Sequence, residues 1–555
     1  MIAVNLDRVT VKYGAEPVFS ELSWEIHDDR CVGLVGPNGG GKSTLLRLMA
    51  GELASDTGFA IRRKGLTVGY LPQEPRLEPG RSVWQEALAA SAELARVESG
   101  LTEIEGRLAD QAVYGDDKLL SRVLNQQARL LEEYARLGGP GYEGRVRATL
   151  YGLGFGEAEL DLPLEVLSGG QKKLVGLARL LVVQPDILLL DEPDNHLDLD
   201  GKSFLEQFIR GYAGAVVIVS HDRYLLDLVV DEIVELEDGR LSHYPGGYSE
   251  YAFEKQMRLL RQQQLYQAQH KEIVRLEQTA KRLMTWGKVF DNPKFSRRGQ
   301  SILKRLEKIE RIEQPVMERK RMGLELTGWR GSDKVLEVVD LDKVFPAPPD
   351  SQFIAEREMI VLAGLDLLIW RGERVGLIGP NGAGKSLLFR LILGQEQPTG
   401  GQIRIGPSVR IGYYAQEHET LNYQWTLIDT LRQAAKLSES DCVRILGRFL
   451  FSYEQARGRV ANLSGGERSR LQMALLTLSE ANFLLLDEPT NNLDILSAEV
   501  LEDALSEFEG SMLVISHDRY FLDRVVDRIV ELDQGSLTEY LGGYSDYQAA
   551  KVRKP

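Results

Sequence analysis

At 555 residues the chain is too long for one hydrophobic core, and at roughly 100–200 residues per domain it is expected to form two to four of them. Its 43% hydrophobic and 27% charged content is that of a globular protein, and a formal net charge of −15 keeps the bulk of it away from polyanions. The two cysteines, Cys31 and Cys442, lack metal-ligand spacing, and no apolar run reaches the ~18 residues of a membrane helix, which excludes a disulfide scaffold, a zinc or iron–sulfur site and membrane insertion, and leads us to expect a cytoplasmic protein.

The N-terminal "MIAVNLDRVTVKYG" alternates like a strand and lacks the form of a signal peptide. A strand-like run, Cys31–Val35, then feeds "GPNGGGKST" and a helical pattern, the context that identifies a phosphate-binding loop. Gly36, Gly39 and Gly41 let backbone N–H groups turn toward phosphate oxygens, with Asn38 among them, and the helix that follows presents its positive end. Lys42 is placed to reach the β/γ-phosphates and Ser43 to ligate Mg²⁺, with Thr44 adding a second hydroxyl. After "VGYLPQE", which holds Gln73, residues from about 85 to 160 include the helical pattern "VLNQQARLLEEYARLG", with Leu124, Leu131 and Tyr134 near helical spacing. This stretch reads equally as a longer helical subdomain and as an arm that reaches a partner. "LSGGQ" (167–171) comes next, followed by the apolar run ending in "LLLDE", which fits a buried parallel strand delivering Asp191 and Glu192 at its C-terminal end. Asp191 is suited to orient Mg²⁺, Glu192 to polarise an attacking water, and "SH" with His221 follows.

From Glu254 to Arg321 the balance changes sign, with 18 Lys+Arg against 8 Asp+Glu, a net of +10 that leaves −25 for the remainder. Ile273, Leu276, Ala280 and Leu283 follow one heptad-like seam, and Ile302, Leu306 and Ile309 another. Between them "TWGKVFDNPKFSRRG" (285–299) breaks helices, so two antiparallel helices with a basic tip are expected over 254–322. A charged coiled-coil spacer with solvated faces is one reading. Basic residues interleaved with Trp286, Phe290 and Phe295 are also the composition that RNA binding uses, and the one-sided charge favours it, with Trp286, Lys288, Lys294, Arg297 and Arg298 as the contacts.

Every motif then returns. Lys42 to Lys385 spans 343 residues, whereas Ser168 to Ser464, Glu192 to Glu488 and His221 to His517 each span 296, so the first copy holds 47 extra residues between Gln73 and Ser168. The second loop supplies Gly379, Asn381, Gly382, Gly384, Lys385 and Ser386, and "FLLLDE" supplies Asp487 and Glu488. Leu387 replaces the hydroxyl of Thr44, and Asp194 stands where the second copy has Thr490, so the two sites are expected to be non-equivalent. The segment 346–360 reads as a longer loop than the turn after Tyr13.

Six ordered motifs, each present twice, resemble the ATP-binding-cassette family over both repeats. The resemblance makes "LSGGQ" and "LSGGE" the signature sequences, Gln73 and Gln416 the Q-loop residues that join Mg²⁺, and His221 and His517 the switch histidines. It implies an α/β fold with two P-loop cassettes, at 1–253 and 323–555, facing head to tail within a monomer. One ATP would lie between the first loop and Ser464, Gly465, Gly466 and Glu467, the other between the second loop and Ser168, Gly169, Gly170 and Gln171. Tyr13 and Phe345 sit where such cassettes stack an aromatic on adenine, a core aromatic on a strand being the competing reading.

Two cassettes on one chain, a charged helical linker, "DEPxNxLD" and "SHDRYFLD" narrow the resemblance to the ABC-F family. That resemblance implies an ATPase that enters the tRNA exit site of the ribosome and directs its linker hairpin toward rRNA and the P-site tRNA. The sequence ends at "KVRKP", so the long C-terminal coiled coil of some members is not expected. The rival readings are the ATPase of a transporter with a separate permease, and a DNA-repair-type ATPase.

Overall fold

The computed structural model describes residues 1–14, 16–73, 75–110, 117–289, 293–308, 322–324, 326, 331–346, 358–415, 421–491 and 493–553. Strands β1 (Ile2–Tyr13), β2 (Glu16–His27) and β4 (Thr57–Arg62) form an antiparallel sheet in the order β2-β1-β4. Behind it lies a six-stranded sheet in the order β5-β6-β7-β3-β8-β9, built from β3 (Cys31–Val35), β5 (Val68–Leu71), β6 (Ile187–Asp191), β7 (Ala215–Val219), β8 (Glu232–Glu237) and β9 (Arg240–Pro245). All its pairings are parallel except the last, between β8 and β9.

The sequence of β6 explains the layering. Ile187 and Leu189 enter the core shared with the antiparallel sheet and the helix Lys42–Ala50, whereas Leu188 and Leu190 enter the core shared with the helices on the other face. A strand covered on both faces has no use for polar alternation, hence the unbroken apolar run. Phe483 and Leu485, against Leu484 and Leu486, repeat the division in the second cassette. Its strands are β10 (Lys334–Pro346), β11 (Glu358–Trp370), β12 (Arg374–Ile378), β13 (Gly400–Ile405), β14 (Ile411–Tyr414), β15 (Phe483–Asp487), β16 (Ser511–Ile515), β17 (Arg528–Asp533) and β18 (Ser536–Leu541). They form sheets in the orders β11-β10-β13 and β14-β15-β16-β12-β17-β18, the topology of the first cassette again. β10 and β11 pair antiparallel; most of the loop expected over 346–360 lies outside the described residues.

Within the insertion of the first cassette, helix Ala92–Leu108 packs on helix Asp117–Arg136. Of the three residues near helical spacing, Tyr134 packs on the core and the two leucines do not. Val123 is buried and Leu130 packs beside Gly100, while Leu124 and Leu131 are exposed. The stripe is one residue out of phase because position 123, not 124, faces the partner helix.

The linker is a helical hairpin. Helix Tyr248–Val289, 42 residues or about 63 Å at 1.5 Å per residue, packs against Pro293–Glu307. At their closest approach Ala280 is fully buried, and a Cβ on Gly299 would lie 2.7 Å from Met284 Cγ and 3.0 Å from the Ala280 carbonyl oxygen. The helices meet where both side chains are small. Ile309 and Phe290 lie outside the described residues.

Candidate functional site

Each phosphate-binding loop leaves a central strand and closes on a helix N-terminus. Gly36 and Gly379 both have φ near +149°, and a Cβ there would lie 2.3 Å from the Leu236 carbonyl oxygen and 2.1 Å from that of Leu532. These glycines are required by packing. Gly39 and Gly382, with φ of +77° and +80°, face open space instead, so they serve backbone conformation and approach by a ligand. Gly41 and Gly384 cap the following helices in the left-handed conformation. Lys42 Nζ donates to the carbonyls of Gly36 (2.8 Å) and Pro37 (3.0 Å), and Lys385 Nζ to those of Gly379 (2.7 Å) and Pro380 (2.8 Å). Both ammonium groups therefore sit at the centre of the loop they belong to.

The parallel strands deliver the carboxylates. The amides of Glu192 and Glu488 bond to the ends of neighbouring strands, at Val219 O (2.8 Å) and Ile515 O (2.9 Å), and both residues have positive φ, 52° and 50°. A non-glycine residue in that region costs about 1–3 kcal/mol, and here the cost recurs at the two positions carrying the candidate bases. His517 donates its amide to Glu488 Oε2 (3.3 Å) and sets Nε2 3.4 Å from Oε1. His221 Nε2 lies 3.7 Å from Glu192 Oε1, while Asn195 Nδ2 donates to Glu192 Oε2 (2.8 Å).

Burial shapes the electrostatics of both sites. It pushes the Glu488 carboxyl up to about 8, with the charge of Asp487 adding to it. It raises Glu192 too, against the opposing charge of Lys173. Burial, with Lys42 nearby, brings His221 down to about 4, and burial with Lys385 takes His517 well below the ordinary range. Burial thus favours the uncharged imidazole at both positions.

The signature segments open helices Gly169–Val183 and Gly465–Leu478. Ser168 and Ser464 are the N-caps, accepting from the amides of Gln171 (3.2 Å) and Glu467 (3.3 Å). The side chains of Gln171 and Glu467 close the capping boxes, at 3.1 Å and 2.8 Å from the cap amides. What remains toward the cleft is the glycine backbone at a helix N-terminus, a setting suited to anions.

One continuous cleft of about 1450 Å³ is lined from both cassettes, by Asn38, Gly39, Gln73, Ser168, Gly169, Gly170, Gln171, Glu192 and His221 of the first and Asn381, Gly382, Gly384, Lys385, Ser386, Ser464, Gly465, Gly466, Glu467, Asp487, Glu488 and His517 of the second. Phe345 lines it as well, with Lys343 Nζ 4.8 Å from its ring centroid; Tyr13 is 57% exposed and is not among the lining residues. Gln416 lies outside the described residues. Thr44 is half-buried, whereas Leu387 packs partly against the apolar core.

The cassettes face head to tail. The amide of Asn381, in the second loop, donates to Asp198 Oδ2 (3.0 Å) of the first cassette, and its side chain to the carbonyl of His196 (3.0 Å). The first loop answers, with the amide of Asn38 bonding Asp494. Two further ion pairs cross the interface, Arg223 with Glu502 and Arg519 with Glu206. Their positions differ by 296, so the contact is isologous. Most of these residues lie in the repeated motifs, but their part in joining the cassettes could not be read there, and Glu206 and Glu502 lie outside every motif.

The residues present fit Mg²⁺ and a nucleotide triphosphate. Both carboxylate oxygens of Asp191 are buried without a well-formed protein hydrogen bond, with the Ser43 hydroxyl beside them, and the open loops at Gly39 and Gly382 would be filled by any side chain.

A family profile described as "ABC transporter" matches residues 19–195 and 362–491, and a second with the same description matches 234–325. The chain is 32% identical over 552 residues to ABC transporter F family member 5 of Arabidopsis thaliana, covering 98% of this chain and 77% of that protein. The chain belongs to the ABC-F family of ATP-binding-cassette proteins. As an ABC-F chain it is an ATPase. It is also 36% identical over 557 residues to the putative ATP-binding protein YdiF of Bacillus subtilis (100% of this chain, 84% of that protein). With the energy-dependent translational throttle protein EttA of Escherichia coli K12 it shares 35% identity over 542 residues (97% and 93%). Among solved structures, the archaeal ribosome recycling factor aABCE1 in complex with the stalk protein aP1 matches with a TM-score of 0.57 at 19% identity, covering 98% of this chain and 92% of that one. That likeness shows the shared fold. Among the described residues, no helix of the ABC-F chain is long and apolar enough to cross a membrane.

The linker tip carries Trp286, Lys288, Lys294, Arg297 and Arg298. Trp286, 41% exposed, meets Phe295 edge-on with ring centroids 6.3 Å apart, and Arg282 lies 5.3 Å over its ring. The tip aromatics thus form a small cluster of their own, still open to solvent.

Proposed function

We propose that this ATPase acts on the ribosome as a translation or ribosome-protection factor, entering the tRNA exit site with its hairpin toward rRNA and the P-site tRNA, and that ATP hydrolysis times its release. The observation that carries the reading is the joint between hairpin and cleft. The first turn of helix Tyr248–Val289 reaches the second cassette, where Tyr248 Oη donates to Glu499 Oε1 (3.1 Å) and Ser249 Oγ meets Tyr520 Oη (3.3 Å). Closure of the cassettes on nucleotide and the seating of a basic arm are therefore one structural event. The similarity to EttA, named a translational throttle, supports the same assignment.

In this reading residues 1–253, 254–322 and 323–555 are the first cassette, the arm and the second cassette. Lys42 and Lys385 leave their loop carbonyls to neutralise the β/γ-phosphates, and the glycine amides of the opposite signature meet the γ-phosphate. Glu192 and Glu488 orient and polarise the attacking water, and the neutral His221 and His517 hold the glutamates and the developing charge in place. Mg²⁺, held by Ser43, Gln73 and Asp191 in one site and by Ser386, Gln416 and Asp487 in the other, would supply further charge neutralisation. Phe345 and Tyr13 are the proposed adenine contacts. Trp286, Lys288, Lys294, Arg297 and Arg298 are the proposed RNA contacts, through stacking and phosphate neutralisation.

The test is co-sedimentation of the Glu192→Gln/Glu488→Gln variant with ribosomes. Retention that needs ATP, and is lost when Lys288, Lys294, Arg297 and Arg298 become Gln, is the expected result. Recovery with membranes or DNA instead of ribosomes would overturn the assignment.

A further inference from the structure

The shift of 296 residues relates nearly every interface position to a mate in the other cassette. A buried lysine contact breaks the rule. Lys202, in helix Leu199–Arg210, donates to Asp222 Oδ2 of its own cassette (2.8 Å) and crosses the interface to donate to the backbone carbonyl of His517 (2.9 Å). Its mate is Ala498, buried in the apolar core of the second cassette. Asp194, a buried carboxyl facing Asp222 and Lys202, likewise has an uncharged mate, Thr490. The lysine and the aspartate thus form a charge-balanced addition found in one cassette alone.

The contact bears on chemistry because of what His517 does next. Its carbonyl is held by Lys202, its amide donates to Glu488 Oε2 (3.3 Å), and its Nε2 stands 3.4 Å from Glu488 Oε1. Fixing the carbonyl holds in place the residue whose amide and ring both face the glutamate. At the other site, alanine at 498 has no group to offer the carbonyl of His221, and Glu192 is steadied from within its own cassette by Asn195.

We propose that Lys202 is a positioning residue for the second nucleotide site: it holds His517 against Glu488 from across the interface, so hydrolysis at the Lys385 loop depends on a first-cassette side chain, and hydrolysis at the Lys42 loop has no matching dependence. The inference rests on the reading of Glu488 and His517 as the hydrolytic pair. It gives the coupling between sites a direction, because opening the interface withdraws Lys202 from the second site while taking no such support from the first.

The experiment uses the full chain in two backgrounds, Glu192→Gln, where turnover comes from the second site, and Glu488→Gln, where it comes from the first. Into each goes the pair Lys202→Ala/Asp194→Thr, which keeps the charge balanced and installs uncharged residues of the kind the second cassette already buries at these positions. In the Glu192→Gln background kcat is expected to fall about tenfold or more, with KM for ATP within about twofold. In the Glu488→Gln background kcat should stay within about twofold of the Asp194→Thr single variant, which carries whatever Asp194 itself does at the first site, and in the Glu192→Gln background Lys202→Arg should recover part of the loss. An equal fall in both backgrounds, or none in the first, overturns the proposal. A second readout does not depend on turnover. Among the seven histidines, the ring resonance of His517 should shift on Lys202→Ala while that of His221 does not, and an unmoved His517 signal rejects the contact. If the parent glutamate variants keep full activity, it is the assignment of the hydrolytic pair that fails, and the resonance still decides whether Lys202 holds His517.

Discussion

The two isologous ion pairs give a quantitative test of how the cassettes hold together. Arg519 Nη1 lies 2.6 Å from Glu206 Oε1, with side chains 2% and 10% exposed, and the guanidinium also sits 4.4 Å over the ring of Tyr224. Replacing Arg519 with Ala leaves a buried carboxylate without its ion-pair partner, a loss of about 3–5 kcal/mol. The mate is cushioned. Glu502, which pairs with Arg223, also accepts from Arg524 Nη1 at 3.0 Å, so Arg223→Ala removes one charged hydrogen-bonding partner of two, about 1.5–3 kcal/mol.

Closure on two nucleotides divides each loss between two binding events. About 4 kcal/mol becomes about 2 per nucleotide, a ~30-fold rise in the ATP concentration for half-closure, and about 2 kcal/mol becomes about 1, a ~5-fold rise. Energy transfer between dyes on the two cassettes, titrated with ATP in the Glu192→Gln/Glu488→Gln background, reads both. Adding Glu206→Ala to Arg519→Ala should recover part of the loss, because the stranded charge is gone. Equal shifts for the two arginine variants, or a double variant as poor as the sum of its singles, would refute the reasoning.

Gly36→Ala should unfold the first loop, its Cβ meeting the Leu236 carbonyl at 2.3 Å, whereas Gly39→Ala, with open space around it and a φ of +77°, should cost about 1 kcal/mol of stability yet weaken nucleotide binding; thermal melts with and without ATP separate the two. Asp186 is held below the usual carboxylate range of about 3.8 by the amide and hydroxyl of Thr67, so its stabilisation is present above that value and is lost as pH falls through the lower folded-state value; Asp186→Asn should flatten the acid limb of the stability curve. Changing Lys288, Lys294, Arg297 and Arg298 to Gln should weaken RNA binding and reduce the slope of log affinity against log salt by roughly 3, at about 0.7 per phosphate contact on single strands, measured by filter binding.

The loops, strands and carboxylates were legible because local chemistry dictates them. A glycine with φ near +149° packed on a carbonyl, or an apolar strand ending in two acids, leaves a mark within ten residues. The duplication made each mark twice as strong and located the arm as the piece outside both copies. Residues that act only across the interface left no such mark. Arg223 meets Glu502 and Lys202 meets His517 over separations of 279 and 315 residues, and no periodicity spans that distance. Leu124 and Leu131 of helix Asp117–Arg136 face out while Tyr134 packs in for a related reason: consecutive apolar residues such as Val123 and Leu124 define two candidate stripes, and the partner helix, not the pattern, chooses between them.

The repeat also explains how the arm is mounted. Tyr251 donates to Glu235 Oε1 (2.7 Å), and Lys255 pairs with the same carboxylate; in the second cassette Tyr547 donates to Glu531 Oε1 (2.7 Å) and Lys551 pairs with it at 2.7 Å. The start of the long arm helix is therefore the bolt that each copy uses for its own last helix, extended in the first copy into the hairpin. A buried carboxylate shared by a tyrosine and a lysine fixes both the rotation and the height of the helix on its cassette. The contact of Tyr248 with Glu499 of the second cassette has no such duplicate, since the mate of Glu499 is Ser203. The arm is thus mounted on the first cassette by contacts that both copies share, and that cassette is the one that also carries Lys202.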